Sequence, residues 1–244
     1  MTTIRSQLLL KYPQIIFGMS TRQGGVSGEY FDLNLSYNVG DKPEDVKENR
    51  TRFFSELGVL EEQVAFPRQK HTSNVLICSD AAMFPACDGL ITVKENLFLG
   101  ISVADCVPVI LFDRINNVVA AVHAGWRGTS QRIVEKTVQM MKSVCHSQPE
   151  SIIAFIGPSA GVCCYEVGEE VAKLFPPVCI HPQKNGKFHI DVKQANVLQL
   201  LAHNIKESHI EVHSDCTIHN TNYHSFRRDG KNSGRMLAIV GIKK

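Results

Sequence analysis

The stretch VPVILFDRINNVVAAVHAG, residues 107–125, decides the fold. Two apolar runs rich in β-branched residues, VPVILFD (107–113) and NVVAAVHAG (117–125), flank a short polar segment. That pattern predicts a β-hairpin. Both runs are apolar on both faces, which predicts a hairpin inside a covered sheet. Pro108 argues against a fully paired strand, because proline has no N–H for the ladder. With residues 113–116 as a four-residue loop, Phe112 pairs with Asn117 and Cys106 falls directly opposite His123. Directly opposed residues bring their Cβ atoms to about 4.5–5.5 Å on one face. A one-residue slip would put them on opposite faces. The plainer alternative is a buried thiol and a hydrogen-bonded core histidine, and spacing alone leaves both open.

Working outward, strands are predicted at 74–79, 89–93, 97–103, 151–157, 209–218 and 236–242. Helices are predicted at 41–57, with Asp41 as cap and Pro43 in the first turn, and at 129–145, capped by Thr129 or Ser130. Two more are predicted at 166–175 and 192–207. Residues 14–39 hold short apolar runs broken by TRQGGVSGEY, a loop or hairpin signal. Strands and helices mix without a strict βαβ rhythm, so the expected class is α+β with a mixed β-sheet core. No repeat or Pro/Gly/Ser linker interrupts the chain, which predicts a single domain over residues 1–244.

Composition excludes several classes. Of 244 residues, 43% are hydrophobic and 20% charged, which is globular rather than disordered. Lys and Arg total 26 against 24 Asp and Glu, a balance too even to predict nucleic acid or an anionic membrane as partner. No stretch approaches the roughly 18 apolar residues of a membrane span, and the early LLL run is short for a signal core, so a cytoplasmic protein is expected. Eight cysteines lack any CxxC pair, which argues against zinc ribbons and thioredoxin-type sites. Reduced thiols are expected in that compartment. GxGxxG, Walker A, HExxH, GxSxG, the zinc-deaminase signature and HxH are all absent from the sequence.

Beyond the hairpin, His123 is followed by Ala-Gly-Trp-Arg-Gly-Thr, a Gly-containing turn leading into a helix. Such a turn offers free N–H groups to an anion, and Arg127 adds a bidentate grip on phosphate or carboxylate. His71, in RQKHTSN before a predicted strand, is the third candidate. Two histidines and a cysteine with an open fourth position match a catalytic zinc site, whereas a structural zinc takes four protein ligands. Arg227, Arg228 and Arg235, with two glycines between them, form a second basic cluster suited to an anionic ligand. Cys163–Cys164 is a vicinal pair without metal spacing and reads as packing. His209 and His213 lie in a strand-like segment and share no helical face.

These residues sit in segments that resemble the YfiH-type laccase-domain proteins, also called polyphenol oxidase or multicopper-oxidase-like. The matching segments are STRQGGVSGEYFDLNLS (20–36), VGDKPEDVKENR (39–50), ADCVPVILFD (104–113), AVHAGWRGT (121–129), IGPSAGVCCYEVG (156–168) and SFRRDGKNSGR (225–235). The resemblance implies a layered α+β sandwich, a mixed sheet core flanked by helices, with zinc on His71, Cys106 and His123. It implies a purine nucleoside phosphorylase acting on adenosine, inosine, guanosine and S-methyl-5′-thioadenosine with phosphate, and adenosine deamination as an accompanying activity. The older laccase name rests on copper-dependent phenol oxidation, and other relatives are called peptidoglycan editing factors. One departure stands at the first ligand, where the family usually reads Gln-Val-His-Gly and this chain has Gln69-Lys70-His71-Thr72. In the nucleoside reading, Arg127 is the main phosphate candidate and Arg227 and Arg228 are secondary, with Asp105 and Glu166 as acid/base candidates. The rival readings are a hydrolase of wall peptides with Cys106 as nucleophile and His123 as base, a copper oxidase, and a binding protein whose metal is structural.

Overall fold

Alternation along the 107–125 hairpin supplies two hydrophobic layers at once. The computed structural model describes all residues, 1–244. In β8 (Val107–Asp113), Val107, Val109 and Leu111 face one core, while Ile110 and Phe112 face another. In β9 (Val118–Ala124), Val118, Ala120 and Val122 join the first core, and Val119 and Ala121 join the second. Every residue of both strands is buried, as runs without polar alternation require.

The hairpin register differs from expectation by two residues. Asp113 pairs with Val118 and Phe112 with Val119, so the four-residue loop is 114–117. Asn117 closes the loop in a left-handed conformation (φ 51°), and the Asp113 carboxylate accepts the N–H groups of Ile115 and Asn116. Pro108, rather than Cys106, lies opposite His123. A shift of two preserves the face of every side chain. Cys106, just before β8, therefore stays on His123's face, as its diagonal neighbour. Pro108 is tolerated because pairing with the neighbouring β10 (Ile152–Ile156) begins only at Val109.

The hairpin lies in a six-stranded sheet ordered β14-β10-β8-β9-β6-β4, completed by β14 (Ile210–Val212), β6 (Gly89–Thr92) and β4 (Val75–Ile77). A second six-stranded sheet runs β1-β2-β15-β7-β3-β5. Its strands are β1 (Thr3–Ile4), β2 (Ile15–Ser20), β15 (Met236–Ile242), β7 (Phe98–Val103), β3 (Val64–Pro67) and β5 (Met83–Phe84). Both sheets mix parallel and antiparallel pairs. Phe17, Met19, Leu99, Phe112 and Phe155 fill the space between them. Outside the hairpin sheet, α3 (Ile133–Cys145) and α5 (Val192–Ala202) cover Val109, Leu111 and Val122. Outside the other, α1 (Pro43–Leu57) lays Phe53, Phe54 and Leu57 on Leu237 and Ile239. The result is the expected layered α+β sandwich, helix–sheet–sheet–helix. A small sheet of β11 (Glu166–Val167), β13 (Phe188–Ile190) and β12 (Ile180–Pro182) extends one side.

Other predicted elements are shorter or broken. The helix expected over 129–145 is two helices, α2 (Trp126–Ser130) and α3, separated by Arg132 in a left-handed conformation. Thr129 caps neither; its hydroxyl instead lies against the Ala124 carbonyl and Asn196. The helix expected over 166–175 divides into strand β11 and the single turn α4 (Glu169–Ala172), with Gly168 between. The strand expected over 209–218 ends at Val212, because His213 to Asn220 turn away to form part of a loop cluster described below. No helix is long and apolar enough to cross a membrane.

Candidate metal centre and substrate groove

His71, Cys106 and His123 come from three segments and meet at one end of the space between the two large sheets. Their candidate ligand atoms lie within 4.8 Å of one another. Cys106 Sγ is 3.8 Å from Nε2 of His71, and the two imidazole rings stand edge to face with centroids 4.9 Å apart. His123 is buried, Cys106 half-buried and His71 exposed, so the cluster opens on one side only.

Asp88, absent from the sequence-based site, organises this cluster. It is fully buried immediately before β6. Its Oδ1 lies 2.8 Å from His123 Nδ1 and accepts the His71 N–H at 3.0 Å. Its Oδ2 accepts the Thr72 N–H and hydroxyl and the Lys70 N–H at 2.7, 2.8 and 3.1 Å. The Asp88 carbonyl also takes the His123 N–H. Burial would raise this carboxyl, but the bonds from His123 and from the Thr72 and Lys70 amides outweigh it and hold it far below the usual range. A carboxylate on Nδ1 fixes that proton and leaves Nε2 of His123 for the cluster. His71 sits in a left-handed conformation (φ 57°), held by those amide bonds. The sequence signal was a lone aspartate at a strand start, which has many bland explanations.

The two interior titratable groups shift together. Burial alone would raise Cys106, yet the nearby imidazoles of His123 and His71 bring it down to about 6. Burial would lower His123, but Cys106 and Asp88 bring it up to about 9. The direction of the Cys106 shift favours the thiolate, the form a metal binds. Gly125 leaves the space this requires: a Cβ there would stand 3.0 Å from Cys106 Sγ and 3.1 Å from His71 Cδ2.

The cluster lies at the base of a groove of about 1360 Å³ that Trp126, Arg127, Tyr165 and Arg227 also line. Arg127 is exposed, its guanidinium 4.3 Å from the Trp126 ring centroid. Arg227 lies over the Tyr165 ring at 4.8 Å and donates to the Glu166 carbonyl. Arg235 lines the groove as well, over Phe226 at 5.5 Å. Arg228 does not reach it. Its guanidinium is bonded inward, to the carbonyls of Thr217, Ile218 and Tyr223 and to Asp229. That is a brace for the loop rather than a phosphate grip.

Neither carboxylate candidate is a free acid or base. Asp105, at φ 84°, accepts the Thr217 hydroxyl on one oxygen and the Arg227 N–H on the other, both at 2.6 Å. Glu166 accepts from Asn185 and does not line the groove. Tyr165 takes a clearer place: burial first, and then Cys106, push its hydroxyl up to about 12, so it remains a hydrogen-bond donor at neutral pH.

Comparison with known proteins fits this geometry. The chain is 37% identical to a Bacteroides thetaiotaomicron protein named purine nucleoside phosphorylase, over 97% of this chain and 94% of that one. It is 33% identical to adenosine deaminase RL5 from an unknown prokaryotic organism, over 91% and 92%. Its fold superposes on the crystal structure of YlmD from Geobacillus stearothermophilus with a TM-score of 0.93 at 31% identity, covering 100% of this chain and 97% of the other. A family model described as multi-copper polyphenol oxidoreductase laccase matches residues 16–243, and the chain belongs to that family.

Proposed function

We propose that this chain is a purine nucleoside phosphorylase that holds zinc on His71, Cys106 and His123 and also deaminates adenosine. The observation that carries this reading is the three-ligand cluster, oriented by Asp88, at the base of a groove with Arg127 and Arg227 on its walls. Relatives that bear the names of both activities support it. The donor set fits zinc. Two imidazoles and one thiolate leave a fourth position open. The carboxylate on Nδ1 of His123 is the usual support for a metal-bound histidine. Copper accepts the same donors, and metal-defined protein separates the two.

The proposed substrates are inorganic phosphate and adenosine, inosine, guanosine or S-methyl-5′-thioadenosine. Arg127 grips phosphate with two parallel N–H bonds, and its stacking on Trp126 limits the fork's freedom. Arg227 contributes the guanidinium nitrogens not bound to Glu166. A phosphate oxygen bonds to C1′ as the C1′–N9 bond breaks, and the electron pair leaves on the purine, which takes up a proton. Positive charge develops at C1′ as in glycoside hydrolysis, and the anion beside it offsets that charge. The Tyr165 hydroxyl donates to the sugar or base. When bound, zinc supplies a Lewis acid for the purine or activates water for deamination.

The test is zinc-loaded protein with adenosine, with and without phosphate, and products resolved by chromatography. Phosphate-dependent adenine that disappears in His71→Ala and Cys106→Ala supports the reading. No turnover of any purine nucleoside overturns it.

The low-lying Cys106 thiol beside His123, with Asp88 behind, favours one second reading: a cysteine hydrolase of peptide or amide bonds. Iodoacetamide abolishes that activity while chelators leave it intact. The zinc enzyme loses activity to chelators.

A further inference from the structure

A second cluster lies behind the groove wall. Cys163 and Cys164 follow β10 in one loop, and Cys216 and His219 lie in another. The ligand atoms of all four fall within 4.8 Å of one another. None of the four lines the groove, so this cluster is separate from the first.

The distances match a metal site. Both Cys163 Sγ and Cys164 Sγ stand 3.6 Å from His219 Nδ1. A tetrahedral zinc with Zn–S of about 2.3 Å and Zn–N of about 2.0 Å has S···N edges of about 3.6 Å and S···S edges of about 3.8 Å. The remaining pairs therefore need to close by about 1 Å at most to complete the tetrahedron. Cys216 and His219 are separated by two residues, in a turn closed by the Asn220 N–H on the Cys216 carbonyl at 3.1 Å. Two-residue spacing is common between zinc ligands that share a turn.

The backbone around the cluster also supports it. The Gly161 N–H donates to Cys216 Sγ at 3.2 Å. Gly161 permits this approach: a Cβ there would meet Cys216 Cβ at 2.9 Å and Cys163 Sγ at 3.3 Å. Packing, the sequence-based reading of the vicinal pair, accounts for none of this, and Cys163 is exposed.

We propose that Cys163, Cys164, Cys216 and His219 bind a second zinc ion in a closed, four-ligand structural site. The site joins two loops that shape the groove. One continues directly into Tyr165, which stacks on Arg227. The other carries Thr217, whose hydroxyl holds Asp105 beside Cys106 and whose carbonyl takes Arg228. Ser159 and Cys216 already form an isolated bridge between the loops. The ion fixes that junction and takes no part in chemistry, since four protein ligands leave no open position.

The test measures metal on the full chain. Zinc-loaded wild-type protein, freed of loose metal, is expected to hold two zinc ions per chain by elemental analysis. Cys106→Ala and Cys163→Ser/Cys164→Ser are each expected to hold one. Cobalt(II) substitution separates the sites without relying on the folding of the double variant. Three of the four metal-bound thiolates belong to the second site, so Cys106→Ala retains about three quarters of the wild-type sulfur-to-cobalt charge-transfer absorbance. One zinc per wild-type chain, lost in Cys106→Ala, overturns the proposal. So does an intact mass about 2 Da low that reduction restores, with the disulfide mapped by peptide mass to Cys163, Cys164 or Cys216.

Discussion

Oδ1 of Asp88 lies 2.8 Å from Nδ1 of His123, and the same carboxylate holds the backbone of residues 70–72. One buried acid therefore sets the tautomer of one candidate ligand and the backbone conformation of the other. It does so from the position just before β6, the strand beside the one that carries His123.

Replacing Asp88 by Asn removes the charge but keeps the shape. Metal affinity is expected to fall by roughly 10–100-fold, the usual cost of losing a partner of a metal-bound histidine. Competition with a chromophoric chelator measures this. Unchanged affinity would sink the assignment of Asp88 as the positioning residue.

Gly125→Ala isolates crowding from backbone strain. Gly125 has φ −67° and ψ 168°, which alanine adopts freely, so the fold should melt within a few degrees of wild type. The new methyl meets Cys106 Sγ and His71 Cδ2. Zinc occupancy and nucleoside turnover are expected to drop together, as read by elemental analysis and chromatography.

Arg127 and Arg228 should fail in different ways. Arg127→Ala is expected to raise the KM for phosphate at least tenfold and to leave phosphate-independent deamination and Tm nearly unchanged, because the side chain is exposed. Arg228→Ala strips partners from three carbonyls and Asp229. A cost of about 2 kcal/mol corresponds to a Tm loss of roughly 4–8 °C, with the phosphate KM little changed in the protein that remains folded.

Acid stability is expected to depend in part on Asp113. Burial would raise this carboxyl, but hydrogen bonds from the amides of Ile115 and Asn116 and from the Asn116 side chain, with Ser151 and Ser147 nearby, hold it below its ordinary value. A folded-state value below the unfolded one, about 3.9, stabilises the protein above that pH, and the contribution is lost as pH falls through the folded value. Thermal melts of Asp113→Asn against wild type from pH 7 to pH 3 should converge at the acid end. Curves that stay parallel would refute the assignment.

Beyond the layered sandwich, which the family resemblance implied, the amino-acid sequence by itself determined the hairpin, the α+β class and, for any even register, the shared face of Cys106 and His123. These follow from local pattern: alternation has a period of two, so a two-residue error in register moves pairings without moving a side chain across the sheet. The helices at α1 and α3 were legible for the same reason, as amphipathic runs long enough to show their period. The break at Arg132 was not, because a left-handed residue leaves no mark in the pattern when it is not glycine. Only the tertiary structure decided that Asp88 stands behind both histidines, that Arg228 turns inward while Arg127 stays in the groove, and that Cys163, Cys164, Cys216 and His219 meet. The first and the last depend on segments far apart in the chain, brought together by sheet pairings such as β6 on β9 and the Ser159–Cys216 bridge. The direction of a long polar side chain is set by whichever donors and acceptors the folded chain leaves unpaired, and that is a property of the packed molecule rather than of any window of its sequence.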